Sequence, residues 1–216
     1  MVSFHPYGPF ANQEAQSRAA YYSITGYPSH IVDGGHQKAL GPINEDMINY
    51  SGVRQVHRLE MTLSKSVTSS VLSFNGTVTN LENTTFNGFM LVFIVENQLF
   101  DSGITWNFVF RDYGLNKSLS LDGLSTTAFS GTWNTPVTVN ASKTQVIAAA
   151  FDTSELDTVT GRPYAVQSVC DGCGQTVAVP EYENTWLYML PTVLIVTASP
   201  ILLHRRPSSH NHHRKS

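Results

Sequence analysis

Two cysteines occur among the 216 residues, Cys170 and Cys173, in the stretch VCDGCG. A C-x-x-C pair supports three kinds of chemistry. It can be a redox dithiol, half of a tetrahedral zinc site, or a small structural disulfide. Gly-Gln-Thr follows the pair instead of an amphipathic helix. No helix N-terminus would then lower a thiol pKa, which weighs against a catalytic thiolate. Zinc needs about four ligands, and the pair supplies two. His204, His210, His212 and His213 would have to join from beyond the apolar segment described below. The expected order is a disulfide closed around Asp171 and Gly172, then an exposed redox pair, then a metal site. Neither a metal nor a cofactor is assigned.

Nothing else in the chain suggests hydrolysis, and no catalytic residue is assigned. Asp101, Asp112, Asp122 and Asp152 fall at expected strand ends, without the D-x-D-x-D spacing of a calcium loop. His36 and His57 read as surface histidines. Sequons at Asn49, Asn75, Asn83, Asn116 and Asn140 are candidates for glycosylation. A chain rich in Asn, Ser and Thr makes some of these by composition alone.

Composition narrows the class. Apolar residues make up 41% and charged residues 13%, the latter low against an ordinary ~25%. That balance suits a β-rich extracellular domain. Net charge is −3 and the body of the chain has no basic stripe with interleaved aromatics, which argues against nucleic-acid binding. Trp186 to Leu203, WLYMLPTVLIVTASPILL, carries no charge. As a helix rising ~1.5 Å per residue it would reach ~27 Å, near the hydrocarbon thickness of a bilayer. Arg205, Arg206, Arg214 and Lys215 follow it. The positive-inside rule then places the tail in the cytoplasm and the rest outside a cell membrane crossed once. MVSFHPYGPF has neither the basic nor the apolar region of an export signal.

The elements that must position these residues divide near residue 50. In the first part, Asn12 is a helix N-cap ahead of Ala15, Ala19 and Tyr22, which share one face. SHIVDGG reads as a strand ending in a Gly-Gly hairpin turn, and INEDMINY as a short helix. SRAAYYSITGYPSHIVDGG, Ser17 to Gly35, resembles the helix, Tyr-rich turn, cis-proline loop and strand of thioredoxin-like proteins, especially exported ones with a following β-rich domain. VSFHPYGPFANQEAQSR is similar to the strand and loop ahead of that helix. The resemblance implies a cis peptide at Pro28, Tyr27 facing a redox site, and a substrate groove shaped by both. No cysteine precedes Pro28, so the active-site half of such a domain would be missing, as in an N-terminally truncated chain.

From about Gln55 the pattern changes to period two. RLEMTLS, VLSFNGTV, ITWNFVF, TAFSGTW, PVTVN, TQVIAAAFD and PYAVQSV read as strands, and GFMLVFIVEN as one buried on both faces. Short strands with polar turns argue for an antiparallel, Ig-like sandwich. The expected fold class is α+β. Residues 1–50 form a partial thioredoxin-like unit, 55–170 a β-sandwich, 171–185 a linker, 186–203 a transmembrane helix and 204–216 a basic tail. The expected function is a membrane-anchored, extracytoplasmic thioredoxin-superfamily protein. It would exchange thiols and disulfides with a protein partner only if an upstream C-x-x-C exists. The alternative is a non-enzymatic surface module, binding or structural, built on the sandwich.

Overall fold

The computed structural model describes residues 2–26, 28–41, 44–157 and 161–171. All of them belong to one compact unit, Met1–Glu181. Among them are two short helices, α1 (Gln13–Tyr21) and α2 (Glu45–Gly52). The strands are β1 (Ser29–Val32), β2 (Gln37–Leu40), β3 (Leu59–Thr68), β4 (Val71–Asn80), β5 (Phe86–Glu96), β6 (Leu99–Asp101), β7 (Ile104–Trp106), β8 (Val109–Leu121), β9 (Thr126–Asn134), β10 (Thr144–Leu156) and β11 (Pro163–Cys170).

Two antiparallel sheets carry the fold, in the orders β11-β10-β5-β8 and β3-β4-β9. Their facing sides share one core. Leu59, Met61, Leu72, Phe74 and Phe129 come from one sheet, and Phe86, Met90, Val92, Ile94 and Val146 from the other. β11 packs against β3 on one side of the sandwich, and β8 against β9 on the other.

Alternation explains the smaller sheet. Leu59 and Met61 in β3, and Leu72, Phe74 and Val78 in β4, are buried, while Glu60, Thr62, Ser64 and Asn75 between them are exposed. β5 and β10 do not alternate, because the outer face of their sheet is covered too. Ala15 of α1, with Val2 and Phe4, packs there on Leu91, Phe93, Val95, Phe110, Ile147 and Phe151. Ser3 bridges to Val109, with Ser3 N donating to Phe108 O and Phe110 N donating to Ser3 O.

This arrangement corrects the thioredoxin-like expectation and the α+β class. The described residues form mostly antiparallel sheet. β1 and β2 make a two-stranded hairpin, the helices have 9 and 8 residues, and Val2, Phe4 and Ala15 cover the outer face of a sandwich sheet instead of building half an α/β domain. The local expectations for this segment fare better. Asn12 caps α1 by accepting from Ala15 N, and a 3-10 turn at Asp33–Gly35 joins β1 to β2. Buried Arg18 completes the inner face of α1 beside Ala15 and Tyr22.

The expected transmembrane helix falls outside the described residues. Among the described residues no helix is long and apolar enough to cross a membrane, and Trp186 to Leu203 lies outside them. Two strand readings also change. ITWNFVF splits at Phe108, whose φ of 56° breaks the extended run between β7 and β8. PVTVN forms a turn with Val137 fully exposed.

Candidate functional site

β8 is where sequence period and structure part. Phe93 pairs with Tyr113 and Val92 with Leu115, so Gly114 is an extra residue, a β-bulge. A second bulge lies at Arg111, because Ile94 pairs with Asp112 and Val95 with Phe110. Each bulge shifts the alternation by one. Phe110 and Tyr113 therefore pack on the outer cluster, whereas Leu115, Leu119 and Leu121 join the inner one. Lys117 lies between Leu115 and Leu119 at the same parity but is exposed, at the rim of the sandwich.

There Lys117 borders an open depression at the side of the sandwich where β8 meets β9. Leu115, Gly76, Ala128 and Phe129 supply apolar surface, and Thr62, Asn75, Thr77 and Ser130 supply polar groups. Cross-strand pairing assembles the wall: Thr62 faces Thr77, Asn75 faces Ser130, and Gly76 faces Phe129. The Phe129 ring occupies the space over Gly76, since a Cβ there would lie 2.6 Å from Phe129 Cζ. The polar groups are partly tied together. Thr62 and Thr77 hydroxyls are 2.7 Å apart, and Ser64 Oγ donates to Asn75 Oδ1 at 2.9 Å.

The opposite edge strand carries an equivalent lysine with a different outcome. Lys65 of β3 points between the sheets, donates to Thr144 O and lies 3.8 Å from Asp171. An inward-pointing charge on an edge strand discourages pairing with another chain. Among the described residues Lys65 is neutralised in that position, while Lys117 has no carboxylate within ion-pair distance.

A second cluster has the residue types of a hydrolase but not its geometry. His36 Nδ1 lies 3.1 Å from Ser51 Oγ, and the Ser51 hydroxyl also serves Asp33. In a working triad the carboxylate orients the imidazole, and the imidazole activates an accessible serine. Here the carboxylate meets the serine, and Ser51 is buried at 5% exposure. His36 stacks on Tyr50 and meets Tyr164 edge-on. Arg54 holds the assembly together. It donates to Glu155 at 2.5 Å and to Ala165 O at 2.6 Å, and lies 3.9 Å from Asp33. Burial, with Arg54 adding to it, lowers the His36 pKa below its usual value. Burial likewise raises Asp33, against the pull of Arg54, His36 and Ser51. The cluster fastens α2 and the β1–β2 turn to β10 and β11. It offers no nucleophile to a substrate.

The remaining sequence candidates are scattered. Tyr27 and Cys173 lie outside the described residues. Pro28 is exposed, and its carbonyl accepts from Gly41 N. Cys170 ends β11 and is disulfide-bonded, so it is not a free thiol. All five sequon asparagines are exposed, on α2 (Asn49), β4 (Asn75), the loop before β5 (Asn83), β8 (Asn116) and the turn before β10 (Asn140). Asn75 lines the depression, and Asn116 neighbours two of its residues. Asp112 sits inside β8, where it accepts from Trp133 Nε1 at 2.8 Å. His57 packs against Phe86, with Nε2 2.8 Å from Asn80 Oδ1. Among the described residues no group of three or more His, Cys, Asp or Glu could hold a metal ion. Sequence reasoning missed Lys117, and the signal available was the glycine three residues before it.

No family model matches the chain, and no curated protein matches it. Among solved structures, β-glucosidase from Kluyveromyces marxianus in complex with glucose aligns at 10% identity and TM-score 0.33, covering 55% of this chain and 14% of that one. β-Glucosidase from Listeria innocua in complex with isofagomine aligns at 8% identity and TM-score 0.28, covering 52% of this chain and 16% of that one. A target of the Northeast Structural Genomics Consortium aligns at 12% identity and TM-score 0.27, covering 72% of this chain and 96% of that one. Likenesses this slight carry no argument about fold or function.

Proposed function

We propose that this protein is a non-enzymatic binding module of the cell surface that holds a small ligand at the β8–β9 edge of its sandwich. The observation that carries the reading is the depression itself, lined with hydroxyls, an amide and apolar surface and bordered by exposed Lys117, whose register on β8 the Gly114 bulge sets. Ligand sites set placed polar groups beside apolar surface, and this edge presents both in about equal measure. The Ser51–His36–Asp33 cluster supports no rival enzyme, because its serine is buried and its carboxylate does not orient the histidine. A surface location agrees with the low charge content, the exposed sequons and the disulfide at Cys170.

A thermal-shift screen with monosaccharides, amino acids and short carboxylates tests the reading. A ligand that binds only the folded state stabilises it by about 2.7 kcal/mol at a hundredfold excess over Kd. At least one class should raise Tm, and Ala128→Trp, which places an indole in the depression, should abolish the rise. A screen without any rise, or an unchanged rise in the variant, would refute the proposal.

A further inference from the structure

We infer that β9 is a docking edge for a second copy of this chain, the two β9 strands pairing antiparallel about a two-fold axis at Ser130. The two sheets of the sandwich present four edge strands, β11 and β8 of one and β3 and β9 of the other. An edge strand offers unpaired backbone groups, and proteins blunt such edges with charge, proline, bulges or covering side chains. Three of the four are blunted. β3 carries Glu60 and inward-pointing Lys65, and Gln167 donates to its Leu59 O. β8 has bulges at Arg111 and Gly114 and holds Lys117. β11 begins at Pro163, slips its register against β10, and has its Ala165 O taken by Arg54. β9, TTAFSGTWN, has 9 residues with no charge, no proline and an unbroken register on β4. Among the described residues no strand pairs with its other side.

The sequence of β9 says what fits there. Ser130 is its middle residue. Antiparallel pairing about that point sets Ser130 against Ser130 of the second copy, Ala128 against Thr132 and Thr126 against Asn134. These residues are exposed, small or polar, and uncharged, so no like charges meet. On the other face Phe129 meets Gly131 of the second copy, and Trp133 meets Thr127, so neither bulky residue faces another. β9 already uses this complement with β4, where Phe129 lies opposite Gly76 and Gly131 opposite Phe74. A two-fold contact must be self-complementary, and a strand that matches its own reverse meets that demand. A charged peptide would find no countercharge on β9. The pairing joins two three-stranded sheets into one and closes as a dimer. β9 lends Ala128, Phe129 and Ser130 to the depression, so the added strand would border that site, but the pairing needs no ligand there.

Sedimentation equilibrium of the full chain, with Ser130→Lys, Ser130→Glu and their equal mixture, tests this. Residues directly opposite on paired strands have Cβ atoms ~5 Å apart, so like charges at 130 repel and opposite charges attract. The wild type should be dimeric. Each variant alone should associate at least about tenfold more weakly, and the mixture should recover the wild-type association. Ser130 is exposed, so circular dichroism of both variants should match the wild type. A wild type that stays monomeric would overturn the dimer, and protection of its β9 amides from exchange would then assign the edge to another segment of the chain. Dimers that ignore both substitutions, or variants that stay apart when mixed, would overturn the pairing at Ser130. None of these outcomes bears on the thermal-shift screen, which judges the binding reading separately.

Discussion

Individual side chains show how this sandwich handles charge. Glu96 at the end of β5 is 2% exposed, and its Oε2 accepts from Arg111 Nε at 2.8 Å and lies 2.7 Å from Arg111 Nη2. Its Oε1 accepts from Asn140 N at 2.9 Å, so one carboxylate joins β5, the β8 bulge and the turn before β10. Breaking a buried pair strands the surviving charge, at a cost of ~3–5 kcal/mol, whereas replacing both partners costs far less. Arg111→Met should therefore destabilise the protein by about that amount in urea unfolding, and Glu96→Gln with Arg111→Met by clearly less. Equal losses in the two variants would show that the ion pair is not what holds these segments.

The histidines set a pH dependence. Burial lowers the pKa of both His5 and His36, with Arg111 adding to it for the first and Arg54 for the second. A folded-state value below the unfolded 6.5 means that the unfolded chain takes up the proton more readily. The stabilisation is present above pH 6.5 and is lost as pH falls through the folded values. Asp33 is raised by burial, so its penalty applies at neutral pH and is relieved toward 3.8, which opposes the histidine effect only at lower pH. Stability should thus decline on acidification below pH 6.5, and His5→Gln with His36→Gln should flatten the decline. An unchanged slope in that double variant would contradict the assignment.

At the scale of elements, glycines opposite phenylalanines fix how the sheets approach. Phe74 of β4 pairs with Gly131 of β9, and its ring also lies over Gly114 of the facing sheet. A Cβ would stand 2.4 Å from Phe74 Cζ at Gly131 and 2.8 Å from Phe74 Cε1 at Gly114. Gly131→Val should cost ~1–3 kcal/mol by overpacking, measured by thermal or urea unfolding, with much less cost at Gly52, where a Cβ meets nothing within 4 Å and the backbone is not left-handed. These elements also show what the chain reveals on reading. β3, β4 and β9 are legible because one face is buried and the other wet, so polar and apolar residues alternate. β5 is legible as a doubly buried strand, whereas β10 is legible as a strand but not as one covered on both faces. The route of β8 is not. NFVFRDYGLNKSLSL has one plausible alternation without bulges, and the shift at Gly114 depends on which β5 residues it meets. The site is hidden for the same reason, since the side on which Lys117 emerges follows from that shift.

The whole molecule shows why the first fifty residues mislead. Their helix, hairpin and short helix are locally as the sequence suggests, yet their apolar residues complete no separate core. Ala15, Val2 and Phe4 instead seal the outer face of β5 and β10, and buried Arg18 reaches Tyr22 Oη and the Phe151 ring. Local propensity does not say which surface an element covers; that is settled by the apolar area left open elsewhere. Residues 2–50 should therefore resist proteolysis while the sandwich is folded, and the unit should melt in a single transition. Early cleavage there with the sandwich intact would detach this segment from the fold. The most direct test of the central claim is a map of amide shifts in isotopically labelled protein during titration with small acids and sugars. The account predicts saturable shifts concentrated at residues 62, 75–77, 115–117 and 128–130. Saturable shifts centred on His36 and Ser51 with the β8–β9 edge silent, or no saturable shifts at all, would contradict it.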